Sequence, residues 1–147
     1  MKALEWHERG ENSADPIDAL SNYWRGFNNL YASAGIGQER EKIVAFLRAR
    51  VTEEQATAVL TANADCITYL VSEPTVDMRG NGKDTAPNIA AYSAASTALA
   101  KLEQVLLVIY QVRCNLEHGQ KSPSRQRDIE LCKCSAPIVA ALIKSEA

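Results

Sequence analysis

Val105-Leu-Leu-Val-Ile-Tyr-Gln-Val-Arg-Cys-Asn-Leu-Glu-His-Gly119 is the stretch from which the fold is read. Leu106, Ile109, Val112 and Leu116 recur at the three- and four-residue spacing of a helix that buries one stripe. Leu102 and Leu99 extend the stripe backwards into an alanine-rich run. The pattern predicts one long helix from about Ile89 to His118, with Gly119 as its C-terminal stop.

The flanking sequence repeats the theme. Asp15-Pro16 is a cap followed by a proline at the first helical position, and Leu20, Trp24, Phe27 and Tyr31 then form an apolar stripe reaching about Ala34. Gly35 and Gly37 end that helix. A second starts near Gln38 and closes on Arg48 and Arg50, cations suited to a helix C-terminus. Thr52-Glu-Glu-Gln55 reads as a capping box opening a third helix that ends near Val71. Residues 72–88, with Pro74, Gly80, Gly82 and Pro87, read as one long loop, a feature that is functional or mobile in compact domains. Arg79 and Lys83 within it read first as solvated side chains. Beyond Lys121-Ser-Pro-Ser124, with Ser124 as a cap, a last helix runs from about Arg125 to Ile143, and Pro137 is expected to kink or interrupt it. No strand-like alternation and no internal repeat occur. The expectation is an all-α bundle of four to five helices, a single domain over 1–147, with residues 1–14 a loosely packed N-terminal segment.

Composition agrees. At 147 residues, 46% hydrophobic and 23% charged, the chain has the balance of a globular domain, which sets aside disordered and fibrous classes. The run Val105–Tyr110 is far short of the roughly 20 apolar residues that span a bilayer, and the charged N-terminus has no signal-peptide core, so a cytoplasmic protein is expected. Cys66, Cys114, Cys132 and Cys134 do not match paired zinc-ligand spacing and read as free thiols filling apolar space. The net charge of −2 advertises no nucleic acid globally. Locally, Arg113, Lys121, Arg125, Arg127 and Lys133 outnumber Glu117, Asp128 and Glu130 over 113–133, enough positive charge to hold a phosphate backbone.

Arg113, Asn115 and His118 are the candidate site. They offer a fixed cation, an amide and an imidazole that can take up or give a proton, a set suited to polarising a phosphate and moving a proton without a metal. Five residues on an ideal helix separate Arg113 from His118 by about 140°, so convergence requires His118 to sit where the last turn unwinds. Arg113 and Glu117 are an (i, i+4) pair, and from spacing alone the group reads as a salt-bridged helix end.

Tyr110-Gln-Val-Arg113-Cys-Asn-Leu-Glu-His118-Gly-Gln-Lys121-Ser-Pro123 resembles the signature of the HEPN superfamily, an arginine and a histidine separated by four to six residues at the end of a long helix. Tyr23-Trp-Arg-Gly-Phe27-Asn-Asn-Leu-Tyr31 is similar to the first-helix segment of some single-domain members, and the all-helical order with the motif before the last helix also matches.

The resemblance implies a HEPN-like helical bundle that pairs as a homodimer and acts as a metal-independent endoribonuclease without a cofactor. It is the kind of protein found as the toxin of toxin–antitoxin and phage-defence modules, with an antitoxin or nucleotidyltransferase as partner. Carried across by position, Arg113 would stabilise the scissile phosphate, and His118 would be the general base on the 2′-hydroxyl or the general acid on the leaving oxygen. Asn115 would orient the phosphate or His118. The products would be 2′,3′-cyclic phosphate and 5′-hydroxyl ends. Lys121, Arg125 and Arg127 follow the motif closely and read either as contacts to the RNA backbone or as charges that keep the surface soluble. Cys114 and Glu117 depart from the residues common in active members and favour a second reading, a catalytically inactive HEPN-like module that binds a protein or a nucleotide.

Overall fold

The Asp15 carboxylate accepts the Ile17 N–H at 2.7 Å and the Asp18 N–H at 3.3 Å, and Pro16 takes the first helical position. The helix so started is the second of eight in the computed structural model, which describes residues 1–118 and 125–147. In order they are α1 (Lys2–Glu11), α2 (Pro16–Tyr31), α3 (Glu39–Arg50), α4 (Glu53–Ala62), α5 (Ala64–Ser72), α6 (Ala86–Ala94), α7 (Ala98–Glu117) and α8 (Gln126–Glu146). The described residues contain no strand, and the fold is all-α. None of these helices is long and apolar enough to cross a membrane.

The core lies where α2, α7 and α8 face one another, with α3, α4 and α5 closing the remaining sides. Trp24, Phe27 and Tyr31 are buried from α2 and stack edge-on, with Phe46 of α3 continuing the cluster. Val105, Leu106, Ile109 and Val112 of α7 and Leu131, Ile138, Val139 and Leu142 of α8 fill the rest.

Several helix boundaries differ from expectation. The N-terminal residues, expected to pack loosely, form α1 and bury Ala3, His7 and Gly10 against α2. Gly26 permits this close crossing, because a Cβ there would stand 2.8 Å from the Ala3 carbonyl oxygen. The helix expected over 52–71 breaks at Asn63, whose amide turns back to donate to the Val59 carbonyl at 2.9 Å, leaving α4 and α5. The helix expected from Ile89 to His118 breaks at Ala95–Thr97. There the Thr97 hydroxyl accepts the Ala100 N–H at 3.1 Å, and Glu53 of α4 accepts the Ala98 and Leu99 N–H groups at 2.7 and 2.9 Å. With three orphan amides satisfied, a new N-terminus is more stable than continuation.

Pro137 does not interrupt α8. Pro137 and Lys133, the residue one turn before it whose carbonyl would accept the missing N–H, are both exposed. The Thr52–Gln55 capping box is present with both hydrogen bonds. The expected stop at Gly119 and cap at Ser124 lie outside the described residues.

Candidate functional site: a cleft at the end of α7

Residues 75–85 form a closed arm. The Asp77 N–H donates to the Lys83 carbonyl at 2.9 Å, and the Thr85 N–H donates to the Thr75 carbonyl at 3.1 Å. The Thr75 N–H donates to the Thr85 hydroxyl at 2.8 Å. Gly80 and Gly82 turn the tip at φ of 78° and 75°, a conformation side chains resist. The arm is pinned to α7 by Asn115. Its Oδ1 accepts the Met78 N–H and the Gln111 amide, both at 3.1 Å, and its Nδ2 donates to the Val76 carbonyl at 2.8 Å.

Between this arm, the first turn of α3 and the last two turns of α7 lies a cleft of about 700 Å³. Tyr110, Gln111, Arg113, Cys114, Glu117 and His118 supply the α7 side. Gln38, Glu39 and Arg40 form one wall, and Asp77, Arg79, Lys83 and Asp84, with Pro87 beside them, form the other. Four cations (Arg40, Arg79, Lys83, Arg113) face four carboxylates (Glu39, Asp77, Asp84, Glu117), so the lining is balanced apart from His118.

Arg113 and His118 both open onto this cleft. His118 is the C-cap of α7, at ψ of 8°, with its N–H still donating to the Cys114 carbonyl at 3.1 Å. The backbone departs from the helix only after His118, so the two side chains leave α7 at different angles and meet the cleft at separate points of its lining. Arg113 has two carboxylate neighbours, Glu39 Oε2 at 4.0 Å from Nη1 and Glu117 Oε2 at 3.9 Å from Nη2. Glu117 therefore leans toward Arg113.

Glu39 was not foreseen from sequence. The Tyr31 hydroxyl donates to its Oε1, as does the Asn28 amide at 3.3 Å, and the Tyr110 hydroxyl donates to its Oε2 at 3.3 Å. Burial, then the hydrogen bond to Glu39, raises the Tyr31 hydroxyl well above its ordinary pKa; burial and the Cys114 and Glu39 contacts raise that of Tyr110. Both phenols stay protonated as donors. Arg40 lies 4.9 Å over the Tyr110 ring and donates to Gln111 Oε1 at 3.2 Å.

The remaining expected site residues sit elsewhere. Asn115 is 1% exposed, makes three hydrogen bonds to the arm and to Gln111, and is not among the residues lining the cleft, so it braces the arm beneath it. Arg125 and Arg127 are not among the lining residues. Arg125 is 3.7 Å from Asp128. Arg127 is held by Glu73 at 2.8 Å, reaches the Glu73 and Pro74 carbonyls and lies over the Tyr69 ring, which ties α8 to the end of α5. Lys121 lies outside the described residues.

The arm side contains what the sequence left as a solvated loop. Asp77, 3% exposed, accepts Arg79 Nε at 3.0 Å and Nη2 at 2.8 Å, the Arg79 backbone N–H at 3.1 Å and the Asn81 amide at 2.9 Å. The Arg79 guanidinium, first among these, holds the Asp77 carboxyl well below the usual carboxylate range. The local signal for this element was Asp77-x-Arg79 followed by two closely spaced glycines. Glu39 had no local signal, because its partners lie on α2 and α7.

No family model, curated protein or solved structure matches the chain.

Proposed function

We propose that the chain is a metal-independent endoribonuclease of HEPN type, of the kind used as a toxin in toxin–antitoxin or phage-defence modules, acting as a homodimer. The observation that carries this reading is the opening of Arg113 and His118 onto one cleft at the end of α7. In the proposed reaction the 2′-hydroxyl oxygen attacks the adjacent phosphorus and the bond to the 5′-oxygen breaks. One proton leaves the 2′-hydroxyl and one arrives at the leaving oxygen. His118 carries one of these transfers, and the second copy's His118 carries the other. Arg113 stabilises the charge on the non-bridging oxygens as it grows. A 2′,3′-cyclic phosphate and a 5′-hydroxyl result. An antitoxin or nucleotidyltransferase would be the partner that restrains it in the cytoplasm.

The test is incubation of RNA with the purified protein in EDTA, followed by end-group mapping. Cyclic phosphate ends, lost in Arg113→Ala, support the proposal. Intact RNA, or 3′-hydroxyl ends, contradict it.

A second reading has its own support. Glu39 and Glu117 place two carboxylates within 4.0 Å of Arg113, where a phosphate would have to displace them. That arrangement suits an inactive module binding a protein or nucleotide, and it predicts ligand binding without turnover.

A further inference from the structure

We propose that Arg79, carried on the 75–85 arm, is a second phosphate-binding residue that grips the phosphodiester next to the one at Arg113. The ligand of the cleft is then a strand with at least two consecutive phosphates. The proposal rests on reading the cleft as a nucleic-acid site, and the experiment below separates the two.

The cost of the arm points to a task. Asp77 is a buried carboxylate, expensive to place, and its side chain is spent on orienting Arg79 and Asn81. The hold uses Nε and Nη2, so Nη1 and the outer hydrogen of Nη2 remain free on a guanidinium that is more than half exposed at the cleft wall. Arg79 lines the same cleft as Tyr110, Arg113 and Cys114, so its charge faces the space onto which Arg113 opens.

The two arginines are prepared differently. The carboxylates beside Arg113 stand at 3.9 and 4.0 Å, outside hydrogen-bond distance, and a phosphate can replace them. Asp77 holds Arg79 at 2.8 and 3.0 Å and does not need to let go, because the free edge of the fork already faces outward. The arm beneath is fixed by its own backbone bonds and by Asn115. Little side-chain freedom is left to lose on binding, the condition under which one charged contact gives a sizeable gain.

The experiment is an NMR titration of the full chain with a thymidine dinucleotide, which has one phosphodiester, and with the trinucleotide, which has two. Neither has a 2′-hydroxyl, so the proposed reaction cannot consume them. The wild type is expected to bind the trinucleotide about tenfold more tightly, the effect of one further charge-assisted contact. Arg79→Ala and Arg79→Gln are expected to bring that ratio down to about two, the statistical advantage of two registers. A purely structural Arg79 would lower the melting temperature and leave the ratio unchanged, which overturns the proposal, as does a wild-type ratio near two. RNA incubated with the wild type answers the other question. A preserved ratio without cleavage retires the nuclease and keeps Arg79 as a phosphate ligand.

Discussion

Glu117 Oε2 lies 3.9 Å from Arg113 Nη2, one helical turn apart on α7 and open to the cleft. The pair is loose and the glutamate largely exposed, so it adds little stability while competing with any anion that approaches Arg113. Glu117→Gln is expected to change folding stability by no more than about 0.5 kcal/mol and to tighten oligonucleotide binding about threefold at low salt. Calorimetry and a binding titration check the two halves.

Asn115 is expected to matter for stability, through the arm. Asn115→Ala leaves the Met78 N–H, the Val76 carbonyl and the Gln111 amide without their partner, the last in a buried place and the first two in part-buried ones. The expected loss is about 1–3 kcal/mol. Hydrogen exchange at the Met78 amide should accelerate first. Unchanged protection there would mean that the arm is held by its own backbone bonds alone.

Gly26→Ala tests whether α1 belongs to the fold. The added methyl meets the Ala3 carbonyl oxygen at 2.8 Å and the Trp6 Cβ at 3.2 Å, so α1 must shift. The expected cost is about 1–3 kcal/mol, seen as a fall of several degrees in the melting temperature. A neutral result would return residues 1–14 to a loosely attached segment.

Much of this architecture was legible because its signals are local. The Asp15 cap, the Thr52–Gln55 box and the Trp24–Phe27–Tyr31 stripe each depend on residues within one or two turns, and all three are present. The breaks at Asn63 and Thr97 were hidden by continuing apolar periodicity. What decides the second is Glu53, forty-five residues away from Ala98, accepting its amide. The site divides in the same way. The Arg113–Glu117 pair follows from spacing on one helix, whereas the Glu39 cluster and the Asn115 brace arise only when α2, α3, α7 and the arm come together.

The His7 imidazole supplies a pH dependence. It is buried against the Tyr23 ring, with Glu11 3.8 Å away and Lys144 also facing it. Burial holds its pKa below the ordinary 6.5, so the folded protein keeps it neutral while the unfolded chain takes up a proton as pH falls through 6.5. Its contribution is complete above that value and declines on acidification toward the folded pKa. Melting curves between about pH 7.5 and 5.5 should show a steeper fall for the wild type than for His7→Gln. Parallel curves would remove His7 as the source.

The proposed chemistry stands or falls on His118. It is exposed at the C-cap, so His118→Ala should leave the melting temperature within a few degrees of wild type. The decisive measurement is the rate of RNA cleavage in EDTA by wild type and His118→Ala under identical conditions. A fall of at least about 100-fold in the folded variant is predicted, the scale of a lost acid–base group. Cleavage at the wild-type rate without His118 would contradict the account.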